Sequence, residues 1–413
     1  MKAIVFVAVL ALSFVAVHSE IWAVLVAGSD GWWNYRHQSD ICHAYQILVK
    51  GGVKADNIIV FAKDDIANNP SNPVKGKVYN KKMSPGYDVY AGCKIDYAGK
   101  EVTVKNYLAV LKGDEATVHG HGTGRVVKST SQDTVFLDYS DHGSTGLICF
   151  PSEYLYKDQL QQALFYMYEH QMYKKLVYYL EACESGSMFV GYPTNKMIYT
   201  TTASNPTESS WAFYCPPNDD VVDGKHIGAC LGDEYSIQWM EDTENHDSEV
   251  ETLQDQYENT KKATLKSHVC QYGDLTWTTD KVSSILGIHK PKARTVSDEE
   301  ITAVPSRDAK LVSLQALAAK NDKAAMIALE KEFHERKFYD DSFDHLGRKF
   351  GNLQQVNGDG ETDFNCYREI VNHWENSCGK FSDYGIQFAK FFYNFCKISP
   401  DKEELKSAIT ALC

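Results

Sequence analysis

The fold is decided by two stretches with one pattern, TVFLDYSDHGS at residues 134–144 and LVYYLEACESGS at residues 176–187. Each begins with an apolar run of strand length and ends in a polar turn that contains glycine. Between them, residues 157–171 carry Leu, Met and Tyr at helical spacing. A strand, a helix and a second strand in this order predict two parallel strands of one sheet.

Similar patterns extend this unit along the chain. We predict further strands at residues 21–28, 57–62 and 196–202, and helices at residues 40–50, 107–112 and 233–266. We predict a linker at residues 280–305, where Pro, Ser and charged residues dominate, and helical segments at residues 308–345 and 365–413. The sequence therefore predicts an α/β fold with a mostly parallel sheet covered by helices, followed by a helical region.

Composition limits the class of protein. The chain has 413 residues, of which 43% are apolar and 23% charged, as expected for a globular protein of two or three domains. It carries 55 Asp and Glu against 42 Lys and Arg, a formal net charge of −13. An excess of acidic residues argues against a protein that follows nucleic-acid phosphates.

The N-terminus has the pattern of a signal peptide. Residues 1–19, MKAIVFVAVLALSFVAVHS, place one basic residue before an apolar run and end in small residues at the spacing of a cleavage site. We expect an exported chain that begins near Glu20, with an uncleaved signal anchor as the alternative. No later stretch approaches the roughly 20 apolar residues of a membrane span, so we expect none.

The two strand ends carry residues capable of nucleophilic catalysis. His142 and Cys183 would meet at the carboxyl edge of the sheet if their strands are neighbours. A thiolate beside an imidazole is a nucleophile, and the ring can then protonate a leaving amine. The backbone N–H groups of Gly143 and Cys183 could stabilise an oxyanion. On spacing alone, a packed cysteine and a strand-terminal histidine remain the alternative.

Several motifs together resemble one family. Besides DHGS and EACESGS, the chain contains VAGSDGWWNYRHQSDICHAYQI at residues 26–47, TTASNPTESSW at 201–211, LGDEYSIQWMED at 231–242 and SHVCQYG at 267–273. This set resembles the legumains, asparaginyl endopeptidases related to the caspases, over essentially the whole mature chain. The resemblance implies a six-stranded caspase-like catalytic domain at residues 20–285. It also implies a linker and activation peptide at residues 286–345 and a death-domain-like prodomain, the legumain stabilisation domain, at residues 346–413.

The resemblance also implies roles for single residues. Cys183 would be the nucleophile, His142 the general acid and base, and Asn34 the residue that orients the histidine. The pocket for the residue before the scissile bond (the S1 pocket) would be lined by Arg36, His37, Glu181, Ser209 and Asp233. Such a pocket offers donors to an amide oxygen and acceptors to an amide nitrogen, which suits Asn. Asp would fit only when protonated, so its cleavage should require acidic pH.

The cysteines divide into expected disulfides and free thiols. Eleven cysteines is an odd number, so at least one is unpaired within the chain. The resemblance implies the disulfides Cys215–Cys230, Cys366–Cys396 and Cys378–Cys413, whereas sequence alone allows three pairings of the last four. We expect buried free thiols at Cys42, Cys93, Cys149 and Cys270, and a further bridge between two of these stays open.

The resemblance further implies a zymogen in which the helix around residues 308–345 and the prodomain at residues 346–413, called the tail below, cover the active site. Self-cleavage is expected at Asn321-Asp322, with Asp298 and Asp308 as alternatives. Residues 291–413 carry 17 Lys and Arg against 20 Asp and Glu, so net charge does not attract them to the acidic catalytic part. Acid activation would then depend on a few local carboxylate pairs, for which Arg336 and Lys337 are the candidates.

The predicted function is a self-activating cysteine endopeptidase that cuts after Asn, and after Asp at acidic pH, without metal or organic cofactor. The expected partners are peptides and proteins with exposed Asn or Asp, its own prodomain and cystatin-like inhibitors. Its compartment would be lysosome-like or vacuole-like, or the protein would be secreted. The alternatives are a peptide ligase using the same residues, a GPI transamidase subunit, which would carry a C-terminal anchor, and a non-catalytic protease-inhibiting protein, which would have lost Cys183 or His142.

Overall fold

The computed structural model describes residues 19–291, 301–356, 361–398 and 401–413. The predicted signal peptide up to residue 18 and Asp298 lie outside these residues. The strands are β1 (Ile21–Ala27), β2 (Ile58–Ala62), β3 (Tyr97–Ala98), β4 (Thr134–Ser140), β5 (Gly143–Ser144), β6 (Leu147–Phe150), β7 (Glu153–Tyr156), β8 (Lys175–Glu181), β9 (Ile198–Thr202), β10 (Trp211–Phe213), β11 (Val221–Val222), β12 (Lys225–His226), β13 (Gly232–Asp233), β14 (Cys270–Gly273) and β15 (Ala303–Pro305). The helices are α1 (Tyr35–Lys50), α2 (Val104–Leu111), α3 (Glu115–Val118), α4 (Lys157–Glu169), α5 (Glu234–Asn245), α6 (Leu253–Ala263), α7 (Ser283–Leu286), α8 (Ala309–Ala319), α9 (Lys323–Phe350), α10 (Phe364–Cys378), α11 (Ala389–Lys397) and α12 (Lys402–Leu412).

A seven-stranded sheet organises residues 21–273, in the order β14-β9-β8-β4-β1-β2-β3. Every neighbouring pair is parallel except β14 with β9. The predicted mostly parallel sheet is therefore confirmed. It has one strand more than the six expected, and its edge strand β3 is only two residues long.

The sheet is buried on both faces, which explains the continuous apolar run of β1. Its alternate side chains enter two different clusters, because successive residues of a strand point to opposite faces. Ala23, Leu25 and Ala27 pack into the cluster that contains α1 and α5 residues, whereas Val24 and Val26 pack with α2 and α4.

The prediction of a single helix at residues 233–266 is wrong. Two helices, α5 and α6, occupy this region, and the chain between them turns back. His246 has an extended backbone and ends α5, while the Thr252 and Asp255 side chains form a capping box that begins α6. The predicted linker also contains regular structure, namely α7 and the short strand β15.

The helical region after the linker is divided in the same way. The predicted helix at residues 308–345 consists of α8 and α9, with a turn at Asn321 and Asp322. Asn321 adopts a left-handed backbone with φ 65°, and the Asp322 carboxylate accepts a hydrogen bond from the Ala325 N–H and so caps α9. None of the helices in the described ranges is both long and apolar enough to cross a membrane.

The tail packs on the catalytic part through an aromatic core. Leu147, Tyr154 and Tyr156 of the β6–β7 hairpin share one apolar cluster with residues of α9 to α12. Tyr367 donates a hydrogen bond to the carbonyl of Thr145 over 3.2 Å. The tail therefore lies directly beside the DHGS turn.

The structure contains the three disulfides that the resemblance implies, which join Cys215 to Cys230, Cys366 to Cys396 and Cys378 to Cys413. The five other cysteines are unpaired. Of the four expected to be buried free thiols, only Cys42 is fully buried. All four are free thiols, as expected, but the expected burial is wrong for the other three, which are partly exposed: Cys93, Cys149 and Cys270.

Candidate active site

The sheet brings His142 and Cys183 to one edge. His142 follows β4 and Cys183 follows β8, and these parallel strands pair with Ser140 opposite Glu181. The Asp141 N–H continues the ladder by donating to the Glu181 carbonyl over 3.1 Å. Both candidate catalytic side chains are nearly inaccessible to solvent, at 3% and 0% exposure.

The His142 ring is held in one tautomer by Asn34. Its Nε2 lies 2.9 Å from Asn34 Oδ1. The amide nitrogen of Asn34 is engaged elsewhere, as a donor to the Asp30 carbonyl and to Asp383 Oδ2, each over 3.1 Å. The Asn34 oxygen must therefore accept from an Nε2–H, which leaves the lone pair on Nδ1. Nδ1 has no hydrogen-bond partner within the described chain.

Burial controls the charge of this imidazole. It lowers the pKa of His142 to about 4, and the nearby Asp383 carboxylate opposes that shift only in part. The ring is therefore neutral at neutral pH while the tail is docked.

Cys183 lies among small polar groups. Its Sγ is 3.2 Å from Ser209 Oγ and 3.7 Å from Ser210 Oγ. The structure thus places Ser209 beside the thiol. The chain after His142 approaches closely, because a Cβ on Gly143 would lie only 2.7 Å from the Cys183 carbonyl. Glycine is required there to let the two turns pack together.

Arg36 and Asp233, two of the predicted pocket residues, form a buried ion pair. The Arg36 guanidinium donates from Nε to Asp233 Oδ1 over 2.9 Å, and both side chains are fully inaccessible. His37 lies against the same carboxylate, with Nε2 3.6 Å from Asp233 Oδ2. Its ring meets that of His142 edge-on, with 5.1 Å between centroids. Glu181 interacts electrostatically with Asp233 and Arg36, so four of the five predicted pocket residues lie close together.

Glu181 provides an open acceptor. Its Oε2 accepts from the Ser236 N–H and hydroxyl, each over 3.0 Å, whereas its Oε1 is buried without a hydrogen-bond partner in the described ranges. Burial raises the pKa of Glu181, and the Asp233 carboxylate raises it further. Such an unfilled acceptor is costly unless a ligand donor reaches it.

Asp40 also belongs to this group, although the sequence analysis gave it no role. Burial raises its pKa, and so does the neighbouring Asp233. Ser140 Oγ donates to Asp40 Oδ2 over 3.1 Å. Its position four residues after Arg36 in α1 puts both on one helix face, a signal that was available in the sequence.

A later segment of the chain covers these residues. Strand β15 pairs antiparallel with β10, and the Ser306 N–H continues the pairing by donating to the Ser210 carbonyl over 2.9 Å. Arg36 Nη2 donates to the Ser306 hydroxyl over 3.0 Å. An extended segment added to a sheet edge, with one side chain in a pocket, is how peptides commonly bind.

Two further contacts stabilise this arrangement, one ion pair and one between a carboxylate and the neutral imidazole, and neither was predicted from the sequence. The Arg307 guanidinium pairs with the buried carboxylate of Glu184, and Asp383 of the tail lies 3.6 Å from His142 Nε2. These residues come from separated parts of the chain, so no local pattern links them.

Arg336 and Lys337, the two basic residues expected to form carboxylate pairs, make different contacts. Arg336 donates to Asp308 Oδ1 over 2.5 Å and to Glu332 over 2.8 Å, and so holds the segment after Ser306. The expectation for Lys337 is wrong, because it is largely exposed and pairs with Asp341 on its own helix. The expected cleavage site, Asn321-Asp322, is exposed in the turn between α8 and α9.

Comparisons with known proteins identify the family of the chain. Residues 21–288 match the peptidase C13 family, and residues 328–413 match the legumain prodomain. The chain is 40% identical to the vacuolar-processing enzyme beta-isozyme 1 of Oryza sativa subsp. japonica over 95% of this chain and 84% of that protein. It is 38% identical to the legumain of Rattus norvegicus over 95% of this chain and 92% of that protein. A distant structural neighbour, caspase-1 from Spodoptera frugiperda, has a TM-score of 0.38 at 10% identity and covers 67% of this chain and 92% of its own.

The match to the catalytic family covers the whole sheet and both candidate catalytic residues, and the prodomain match covers most of α9 and the tail. The chain therefore belongs to the peptidase C13 family, the legumains, and is a cysteine endopeptidase with a C-terminal prodomain.

Proposed function

We propose that this enzyme cleaves peptide bonds after Asn, and after Asp at acidic pH. The observation that carries the proposal is the pocket beside Cys183, which pairs one buried guanidinium with an unfilled carboxylate oxygen. Arg36 is a donor and Glu181 Oε1 an acceptor, and a side-chain amide needs one of each. A protonated Asp satisfies the acceptor less well, and an ionised Asp would meet Glu181 and Asp233 as like charges.

Substrate binding would follow the path of the inhibitory segment. A peptide replacing β15 pairs with β10 and directs its Asn side chain to the place of the Ser306 hydroxyl. Arg36 then donates to the amide oxygen, and Glu181 accepts from the amide nitrogen. These contacts fix the scissile carbonyl next to Cys183.

The chemistry would be acyl transfer through a thioester. His142 Nδ1 takes the Cys183 proton, and the thiolate attacks the carbonyl carbon while the Gly143 N–H stabilises the oxyanion. His142 returns its proton to the leaving amine as the peptide bond breaks. It then takes a proton from water, whose hydroxide cleaves the thioester, and Cys183 recovers its proton. Asn34 acts as a positioning residue by fixing the ring tautomer.

The docked tail supports an inactive precursor. Ser306 occupies the proposed pocket and Asp383 contacts His142, so a substrate cannot enter until both the segment around Ser306 and the tail move. Removal after Asn321 is favoured by the exposure of that turn. We further propose that the enzyme acts in a lysosome-like or vacuole-like acidic compartment or after secretion, and that cystatin-like proteins inhibit it at the vacated pocket.

The test is acid incubation of the precursor beside its Cys183→Ala variant at pH 4–5, with cuts located by mass spectrometry. Matched reporter peptides ending in Asn or Asp measure turnover, and an added amine-bearing peptide separates hydrolysis from ligation. Processing and Asn turnover in the parent, both absent from the variant, support the proposal. Equal processing of the variant by itself would contradict the role of Cys183, and turnover without preference for Asn would contradict the assignment of the pocket.

A further inference from the structure

A second cluster of ligand-type side chains lies outside the active site, at the turn between α5 and α6. Asp242 is in the last turn of α5, His246 ends that helix, and Glu251 precedes α6. His246 Nδ1 is 2.9 Å from Asp242 Oδ1 and 3.5 Å from Glu251 Oε1. One ligand atom from each residue lies within 4.8 Å of the other two.

Both carboxylates are buried and incompletely satisfied. Asp242 is 8% exposed and Glu251 7% exposed, and neither Asp242 Oδ2 nor Glu251 Oε2 has a hydrogen-bond partner in the described chain. No Lys or Arg among the described residues forms a salt bridge with either side chain. Buried carboxylates in this state normally pair with a cation or share a proton.

The spacing of the three side chains is near that of ligands around a small tetrahedral cation. Bonds of about 2.0–2.2 Å from a tetrahedral Zn²⁺ hold its ligand atoms about 3.3–3.6 Å apart. The separation of His246 Nδ1 from Glu251 Oε1, 3.5 Å, is within this range, and that from Asp242 Oδ1, 2.9 Å, is shorter. Imidazole with carboxylates suits Zn²⁺, whereas Ca²⁺ and Mg²⁺ prefer ligand sets of oxygen alone. The His246 side chain is half exposed, so an ion can enter and water can complete the coordination.

We infer that Asp242, His246 and Glu251 form a binding site for a divalent transition-metal cation, with Zn²⁺ as the best fit. His246 would coordinate through Nδ1 after losing the proton that this nitrogen otherwise donates to the Asp242 carbonyl. The ion would join the end of α5 to the start of α6.

The site would also stabilise the substrate pocket indirectly. Helix α5 has 12 residues and spans about 18 Å. Its opposite end carries Asp233 as the N-cap residue and Ser236, which holds Glu181. An ion that fixes one end of the helix would therefore limit the motion of a pocket-forming element.

The test is calorimetric titration with Zn²⁺ at pH 7 of the full-length Cys183→Ala protein, which is not self-processed. The same titration is made with Cys183→Ala carrying His246→Gln or Asp242→Asn. We expect Cys183→Ala to bind one Zn²⁺ per chain, and the proteins with His246→Gln or Asp242→Asn to bind it at least about tenfold more weakly. Thermal unfolding should show a rise in Tm with Zn²⁺ that is absent in the variants.

Circular dichroism without metal establishes that each variant is folded, and His246→Gln changes a half-exposed side chain, so it provides the safer comparison. The three proteins share His37, Asp141 and His142, so weak binding at that group cancels between them. Equal Zn²⁺ affinity in all three folded proteins, or no binding in the parent, would overturn the inference. In that case a proton shared between the carboxyl groups of Asp242 and Glu251, which contact each other, would compensate their burial instead of a metal ion.

Discussion

Asp383 Oδ1 in the tail lies 3.6 Å from Nε2 of His142, and the other carboxylate oxygen of Asp383 accepts a hydrogen bond from Asn34. The prodomain thus contacts both the proposed acid–base residue and the residue that orients it. Burial alone would raise the pKa of Asp383, but the adjacent His142, Arg36 and Asn34 lower it overall. A carboxyl group with a lowered pKa stabilises the docked state above its ordinary pKa, and this contribution is lost as the pH falls through the lowered value.

Asp383→Asn should therefore shift activation to higher pH, because the ionic contribution to docking would be missing at every pH. The measurement is the fraction of precursor processed after a fixed time between pH 3 and pH 7. Asp344→Asn is the matched control, since Asp344 is an exposed residue of α9 paired with Arg348 on the same helix. An unchanged midpoint in Asp383→Asn would refute a role for this contact in latency.

Asn34→Ala should lower kcat of the activated enzyme by about 100-fold with little change in KM. The ring would lose the acceptor that fixes its tautomer, and with it part of the roughly 10²–10⁴-fold that acid–base catalysis contributes. Asn34→Asp keeps an acceptor oxygen and should recover part of the rate, with a shifted pH profile. A rise in KM alone would instead place Asn34 in substrate binding.

Glu181→Gln should reverse part of the substrate preference. Its amide can still accept from Ser236 but would present a donor to the substrate amide, so kcat/KM for an Asn peptide should fall by 10-fold or more, about 1.4 kcal/mol. The Asp peptide should gain relative to Asn at pH 6, since the Gln amide can donate a hydrogen bond to the Asp carboxylate. Equal losses for both peptides would show that Glu181 acts through stability alone.

Asn321→Gln should remove the cut between α8 and α9, because Gln is one methylene too long for the pocket. Peptide mapping of the acid-treated precursor measures this directly. Asp308 is the comparison site, and its contact with Arg336 should make it slower to cut. Cleavage at residue 321 at the parental rate would mean that another specificity, or another protease, activates the chain.

Much of the fold follows from local pattern. The apolar runs of β1, β4 and β8 identified a mostly parallel sheet, because strands covered on both faces must be apolar throughout. The break between α5 and α6 was missed, since helical spacing continues across it while capping by Thr252 depends on local geometry. The edge strand β3 has only two residues, which is too short for an apolar run to be recognised in the sequence.

The candidate site divides in a similar way. Strand ends located His142 and Cys183, and the family resemblance supplied the pocket residues. Asp383, Ser306 and Glu184 were missed because their importance arises from contacts between distant segments. The prediction for Lys337 was wrong because a basic residue on a helix can pair with a carboxylate of its own helix as readily as with one on another element.

The most direct test of the central claim is kcat/KM of the acid-activated enzyme on three peptides that differ only in the residue before the scissile bond: Asn, Asp and Gln. We expect Asn to be preferred over Gln by about 10–200-fold at every pH from 4 to 7, because one extra methylene changes kcat/KM by about this factor in a fitted pocket. Turnover of the Asp peptide should rise as the pH falls toward 4. Comparable turnover of Gln and Asn, or cleavage after Asp that increases with pH, would contradict it.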